Sequence, residues 1–367
     1  MINRLSQIIL LSGAVAACNA SSPAGPATDD RPNSGELPGS FVENRGQSVP
    51  ITEIADYSAI EWGTQDEIVF NTAPSGSQQR VTAIRAIRLS DHAVRNIHVG
   101  PNYNYLGYSG VRVSPDGTET FFILRKPIAT EFDVFHAVPG GTPDRIAVNP
   151  GFGSSIIPTP DSKGAVYGVA PDSIRMFDVA TKTSRRVGEG CLSPVVFAPD
   201  GRRLLCRGTA GTSHFLMTMS DGTVESASVP PGSIRSMFWN VRGLQAIYEN
   251  LGQLEIFDVA TGGRMTLLPR AQLRQYEFVD GVVSSRDGRR IAVATRRRDP
   301  FSTRLVECVL YVIETDTGLL RRSAVIKLVT QAADAEIGSM AFSPDGKSVA
   351  YAAGNVESAG VFIVSIE

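Results

Sequence analysis

The sequence predicts an all-β fold, a seven-bladed β-propeller of four-stranded antiparallel blades, from two observations. An apolar segment, a tight turn and a second β-rich segment recur seven times, most clearly around residues 113–117, 197–201 and 342–346. The repeating unit is about 40 to 50 residues long, as in propeller blades. Residues 176–181 and 256–261 also repeat the third strand of a blade, and each copy ends in turn residues.

The other segments fit the same template in chain order, with blade five replacing the Pro-Asp-Gly turn by Val241-Arg242-Gly243. Blade seven provides three strands up to residue 366, and two segments before blade one could each supply the fourth. We therefore expect an N-terminal strand, 41–43 or 49–54, to close the ring and cover an otherwise exposed edge. The inner strands of the blades are expected near 60–62, 110–114, 155–159, 194–198, 237–240, 281–285 and 339–343.

The repeated turn is explained by backbone chemistry. Proline suits the start of a turn, aspartate bonds nearby backbone amides, and glycine supplies a positive φ. We expect a structural role for Asp116, Asp200 and Asp345, because they lie on separate blades and lack the alternating oxygen ligands of a calcium loop. The turns are expected on the face opposite the binding face.

The Ser-Pro-Asp-Gly turns at 114–117 and 343–346, each followed by a β-rich strand, resemble those of the TolB-type, WD-like repeat propellers of bacteria. The resemblance covers about residues 50–367. It implies a propeller of four-stranded blades and a bacterial source.

The N-terminus predicts export and lipid anchoring. Residues 1–17 read as a signal peptide, with Arg4 before an apolar run that is shorter than the roughly 20 residues of a membrane span. The segment 15–18 resembles a bacterial lipobox, which implies acylation of Cys18. An ordinary cleaved signal is the alternative. Residues 18–47 are rich in small and polar residues and predict a flexible tether before a propeller domain over 48–367.

These features predict a lipoprotein of the bacterial cell envelope. Asn19, rather than aspartate, follows the cysteine and resembles the outer-membrane sorting pattern, so we expect an outer-membrane location facing the periplasm or the cell surface. The net charge is −2, which gives no basic field for nucleic acid, and we expect a monomer.

From the sequence we expect no catalytic residue, no metal site and no cofactor. His92, His98, His136 and His214 form no metal-binding motif and fall in or beside outer strands or turns. No Gly-x-Ser-x-Gly nucleophile elbow occurs in the chain.

The cysteines of the propeller are expected to be unpaired. In a regular hairpin around 200–201, Cys206 faces Val195, and Cys191 lies four residues away from that position, roughly 13 Å along the strand. Disulfides need Cα atoms within about 7 Å. We therefore favour buried thiols for this pair, and Cys308 is expected in the core of blade six.

Two loops on the face opposite the turns carry residue types that are enriched in binding hot spots. The first, 100–108, joins blades one and two; the second, 296–304, is expected between the second and third strands of blade six. The alternative is that the tyrosines pack between blades and the arginines form a solvated loop. The candidate partner-binding residues are Tyr103, Tyr105, Tyr108, Arg296, Arg297, Arg298 and Phe301.

Three functions remain open from the sequence. The first is a membrane-tethered, non-enzymatic platform that binds an envelope protein or a ligand. The second is a propeller enzyme, a polysaccharide lyase or glycoside hydrolase, acting at the channel mouth. The third is a small-ligand sensor. Converging charged side chains at the channel mouth favour the enzyme, whereas a flat face of aromatic and arginine residues favours the platform.

Overall fold

The computed structural model describes the backbone of residues 49–54 and most of the chain from residue 60 onward. The further ranges are 60–72, 83–99, 110–125, 132–148, 155–208, 213–229, 233–273, 277–298, 305–315, 321–328, 336–354 and 359–366. The chain divides into units 1–38 and 39–367, and all described residues belong to the second unit.

Seven four-stranded antiparallel sheets form the blades of a ring, as the sequence predicts. Blades one to three contain β2 (Ile60–Trp62), β3 (Glu67–Thr72), β4 (Ala83–Arg88), β5 (Val94–Val99), β6 (Val111–Val113), β7 (Thr120–Arg125), β8 (Phe132–Ala137), β9 (Asp144–Val148), β10 (Ile156–Pro158), β11 (Gly164–Val169), β12 (Ser173–Asp178) and β13 (Thr183–Glu189). Strand β1 (Val49–Ile54) precedes them.

The remaining blades follow in chain order, and a short 3-10 helix (Arg270–Gln272) lies between blades five and six. Blades four to seven contain β14 (Cys191–Phe197), β15 (Arg203–Gly208), β16 (His214–Thr218), β17 (Val224–Ala227), β18 (Ser233–Asn240), β19 (Gly243–Asn250), β20 (Gln253–Asp258), β21 (Arg264–Leu268), β22 (Glu277–Ser284), β23 (Arg290–Arg298), β24 (Leu305–Glu314), β25 (Arg321–Leu328), β26 (Glu336–Phe342), β27 (Ser348–Gly354) and β28 (Ala359–Ser365).

The ring is closed by the N-terminal strand. Strand β1 pairs antiparallel with β28, and Ile54 lies opposite Ala359 at one end of the ladder. The order β1-β28-β27-β26 makes β1 the outer strand of blade seven. This confirms the predicted closure and selects 49–54 as the closing segment, whereas 41–43 lies outside the described residues. The first and last described strands therefore share one blade, which removes an open sheet edge.

The core lies between adjacent blades. The second strand of a blade is covered on both sides by its neighbours, so its residues are apolar without alternation. Strand β11, for example, is buried over five successive residues. Phe121 and Ile123 of blade two pack with Tyr167 and Phe177 of blade three. A corresponding cluster joins Ile60 of blade one to the alanines and valine of blade seven. Burial between blades therefore holds the ring together.

The disulfide state predicted for blade four is wrong. Cys191 and Cys206 form a disulfide, with their Cα atoms 5.4 Å apart. The hairpin starts in the predicted register, but β14 has irregularities between Cys191 and Ser193 and between Pro194 and Val196. Each one absorbs a residue of β14, so Cys191 comes to lie opposite Gly208, two residues from Cys206. Bulges of this kind are not visible in an apolar pattern.

The repeated turns have the predicted structural role. In the turn of blade two, the Ser114 hydroxyl donates to the Asp116 carboxylate over 2.6 Å, and the same carboxylate accepts the Thr118 N–H at 3.0 Å. Gly117 has φ +79° and its N–H donates to the Ser114 carbonyl at 2.9 Å. In blade four the Asp200 carboxylate accepts the Arg202 N–H at 2.9 Å. Asp116 and Asp200 thus bind the backbone of their own turns, and the Asp345 carboxylate accepts the Lys347 N–H at 3.0 Å and also the Gln65 amide of blade one at 2.9 Å.

Candidate functional site

A cavity of about 540 Å³ occupies the central channel, where the inner strands of the blades face one another. Its apolar lining includes Val283 of blade six and Met340 and Phe342 of blade seven. The cavity extends to the repeated turns, since Pro115 and Pro344 also line it. The turn face, which the sequence analysis expected to lie opposite the binding face, therefore carries one end of the channel cavity.

Three charged side chains line this cavity among the described residues: Glu61, Arg112 and Arg286. Glu61 of blade one and Arg112 of blade two form an ion pair. Glu61 is the one carboxylate in this part of the lining, and its negative charge is matched by a neighbouring guanidinium.

Arg286 crosses the end of the channel. Its guanidinium donates to the Pro115 carbonyl, which links blade six to blade two across the ring. Much of the side chain is exposed, but the guanidinium lies against the opposite turn. Burial there lowers the pKa of Arg286, and the nearby Asp116 partly opposes this effect. Arginine nevertheless stays charged at any physiological pH, because its ordinary pKa lies far above that range.

Blade six also carries the predicted arginine cluster, but in a strand rather than a loop. Strand β23 continues through Arg298, so all three arginines pair with β22 or β24 and are half-buried. Arg296 forms an ion pair with the largely buried Asp280, at 2.7 Å between Nε and Oδ1. The apolar run of β23 gave no sign that the strand would continue into the arginines, because charged residues seldom extend a buried strand.

An exposed aromatic residue accompanies this cluster. Phe278 lies opposite Arg296 in the β22–β23 ladder, so the two side chains share one face of the sheet. Half of the Phe278 side chain is exposed, at 51%. An aromatic ring beside half-buried arginines is a typical composition of a binding hot spot. Phe278 was not predicted, because the inner strand of blade six was expected near 281–285 and in the structure already begins at Glu277.

The other predicted site residues lie outside the described part of the chain. They are Cys18, Tyr103, Tyr105, Tyr108 and Phe301. Within the described ranges, no group of three or more histidine, cysteine, aspartate or glutamate residues is arranged to hold a metal ion. The same ranges hold no helix that is both long enough and apolar enough to cross a bilayer.

The four histidines lie where the sequence placed them, away from the channel lining. His136 is buried in the third strand of blade two, where it contacts the Glu119 carboxylate and the rings of Phe121 and Phe177. His98 packs against two phenylalanine rings, and burial lowers its pKa. Both histidines belong to the packing between strands and blades.

Known structures share the fold. A chain in the crystal structure of the mitotic checkpoint complex superposes with a TM-score of 0.57 at 15% identity, covering 97% of this chain and all of that chain. The C-terminal WD40 domain of Sif2 superposes with a TM-score of 0.56 at 10% identity, covering 86% of this chain and 98% of that domain. No protein-family model and no curated protein sequence matches the chain.

The ring of seven four-stranded blades and these neighbours define a class of protein: an all-β, WD40-like propeller. At identities of 15% and below, the likeness establishes the fold alone. Function must therefore be argued from the chain's own surfaces.

Proposed function

We propose that this protein is a lipid-anchored, non-enzymatic platform of the bacterial cell envelope that binds a partner protein through blade six. The exposed Phe278, which shares one face of the sheet with the half-buried Arg296, is the observation that carries the proposal, and Arg297 and Arg298 follow Arg296 at the same end of β23. These residues lie at the end of β22 and β23 away from the repeated turns. A structural neighbour is part of a complex, the mitotic checkpoint complex, which agrees with a binding role for this fold.

The composition of this surface selects the chemistry of the partner. Phe278 offers an apolar contact, and the arginine cluster gives this end of the blade a positive charge, which suits a carboxylate. We therefore expect an envelope protein that presents an acidic side chain next to an apolar one. Asp280 holds Arg296 in place, since it forms an ion pair with the Arg296 guanidinium and accepts the Ile337 N–H. Arg296 thus positions the surface, while Phe278 contributes the apolar contact area.

The partner surface is tested by replacing Phe278 with serine in the full chain. Proteins captured from envelope extracts are identified by mass spectrometry, and each is then purified and its affinity measured directly. Truncation of a hot-spot aromatic costs about 2 kcal/mol or more, so we expect roughly thirtyfold weaker binding for Phe278→Ser. Val241→Ser is the matched control, because Val241 is also exposed and apolar but lies in a repeated turn of blade five. Equal affinities for both variants and the parent protein would refute the blade-six surface.

The lipid anchor has a separate test. In the proposal, Cys18 is acylated after removal of residues 1–17, and residues 18–47 link the membrane to the propeller. Detergent-phase partitioning should retain the parent protein and release Cys18→Ser to the aqueous phase. Asn19→Asp should leave acylation intact but change the membrane in which the protein is recovered. Detergent partitioning of Cys18→Ser equal to that of the parent would contradict acylation at this position.

A further inference from the structure

The second position of the repeated turn lines the channel mouth in three blades. Pro115 and Pro344 occupy it in blades two and seven, and Arg286 occupies it in blade six. The turn of blade six is otherwise of the same type, Ser-Arg-Asp-Gly in place of Ser-Pro-Asp-Gly. A single replacement in a repeated turn therefore puts a guanidinium at the end of the cavity.

Asp116 follows Pro115, the residue that Arg286 contacts. The Asp116 carboxylate already accepts hydrogen bonds from its own turn. Asp116 accepts from the Ser114 hydroxyl at 2.6 Å and from the Thr118 N–H and hydroxyl at 3.0 and 2.8 Å. Arg286 instead donates to a backbone carbonyl, a neutral acceptor. Among the described residues, no carboxylate lies within ion-pair distance of Arg286. A guanidinium has five N–H donors, so this one contact leaves donors that can face the cavity.

The rest of the lining suits a small organic anion. Arg112 supplies a second guanidinium whose charge is matched by Glu61, so the described lining has one positive charge in excess. Val283, Met340 and Phe342 provide apolar contacts in the same lining. Ligand sites commonly combine an apolar wall with a few placed polar groups in a volume of roughly 300–1,000 Å³.

We propose that the channel mouth binds a small organic anion, a carboxylate or a phosphate monoester, through the Arg286 guanidinium, with Arg112 as a second donor. Two parallel N–H···O bonds from one guanidinium match both oxyanions. The ligand replaces the Pro115 carbonyl as an acceptor of Arg286. This site lies at the opposite end of β22 from Phe278, about 20 Å away along the strand. A negative result for anion binding would therefore not contradict the proposed protein-binding surface of blade six.

Calorimetric titration of the full chain in detergent tests the site, with succinate and inorganic phosphate as separate probes at low ionic strength. We expect saturable binding of at least one probe, and the stronger probe assigns the ligand class. Arg286→Gln should weaken that binding by about tenfold or more, because a charge-assisted bidentate contact is lost. Arg286→Lys should recover part of the affinity, since it restores charge but not the planar pair of donors.

Arg289→Gln is the matched control, because Arg289 is an exposed arginine three residues away that does not line the channel cavity. It should bind the probe like the parent chain. Absence of binding of both probes by the parent chain would overturn the proposal. Equal weakening by Arg286→Gln and Arg289→Gln would overturn it too, because the loss would then reflect general surface charge. Thermal unfolding of each variant confirms that the ring is intact.

Discussion

The turns of blades six and seven differ at one position but share a backbone. In both, the serine hydroxyl donates to the aspartate carboxylate, over 2.7 Å in blade six and 2.6 Å in blade seven. In both, the glycine N–H donates to the serine carbonyl, and the glycine φ is +67° or +70°. Blade six has Arg286 where blade seven has Pro344. Serine, aspartate and glycine therefore determine the conformation of the turn, whereas the residue at the second position lines the channel mouth.

The surroundings of the two glycines also differ, which predicts the largest effect. A Cβ at Gly288 would overlap the Trp239 carbonyl oxygen of blade five and lie 2.9 Å from the Asn240 Cα, whereas a Cβ at Gly346 meets no atom within 4 Å. Gly288→Ala should lower the free energy of unfolding by roughly 3 kcal/mol, from the left-handed φ and the overlap together. Gly346→Ala should cost about 1 kcal/mol, from φ alone.

Urea unfolding of the two glycine variants measures this difference. Equal losses would show that the turn of blade six does not pack against blade five as the structure indicates. A larger loss for Gly346→Ala would reverse the comparison.

The serine of the turn should stabilise both blades. Ser285 and Ser343 are buried, and each hydroxyl accepts a backbone N–H five residues later, at 2.9 Å in both cases. Replacement by alanine leaves that N–H without its side-chain acceptor, so we expect a loss of about 1 to 2 kcal/mol for each variant. The measurement is again urea unfolding. A loss that is clearly smaller for Ser343→Ala than for Ser285→Ala would contradict the structure, because the Ser343 hydroxyl also accepts the Lys347 N–H at 3.1 Å.

The aspartate of blade seven predicts a pH dependence. Hydrogen bonds from the Ser343 hydroxyl, and then from the Lys347 N–H, lower the pKa of Asp345 below its ordinary value of 3.8. The folded state therefore binds a proton less readily than the unfolded state. This contribution to stability is complete above pH 3.8 and is lost as the pH falls through the folded pKa.

Asp345→Asn should flatten the fall in stability below that pH, as measured by urea unfolding over a pH series. Asp91→Asn should flatten the profile as well, since the hydrogen bond from the Ala93 N–H lowers the pKa of Asp91 in its outer turn of blade one. An unchanged pH profile for Asp345→Asn would show that Asp345 contributes nothing to acid sensitivity.

Most of the fold could be predicted from the sequence because each blade repeats the same local chemistry. Turn residues mark the hairpins, and the closing strand follows from a blade that lacks a fourth strand. The register of β14 could not be predicted, because its irregularities leave the apolar pattern intact, and the Cys191–Cys206 disulfide was missed with it. The arginine cluster was found, but its place in β23 was not.

The channel residues were missed for a different reason. The turns are recognised by the serine, aspartate and glycine that they share. Arg286 instead occupies the second position, at which blade six differs from blades two and seven. Its contact with Pro115 joins blades two and six, which are distant in sequence. Only the closed ring brings such residues together. The departure from Ser-Pro-Asp-Gly in blade six was the one available signal.

The smallest expected effect on stability comes from giving blade six the turn of blade seven. Proline already occupies the second position in blades two and seven, so Arg286→Pro should be tolerated and raise the free energy of unfolding by about 0.5 kcal/mol through a less flexible unfolded chain. The same variant removes the guanidinium from the channel mouth, so binding of the anionic probe should be lost along with it. A destabilised Arg286→Pro protein would show that the contact with Pro115 supports the ring. A stable variant that no longer binds the probe would instead show that Arg286 is needed for anion binding. It would also show that the backbone of the turn forms without Arg286.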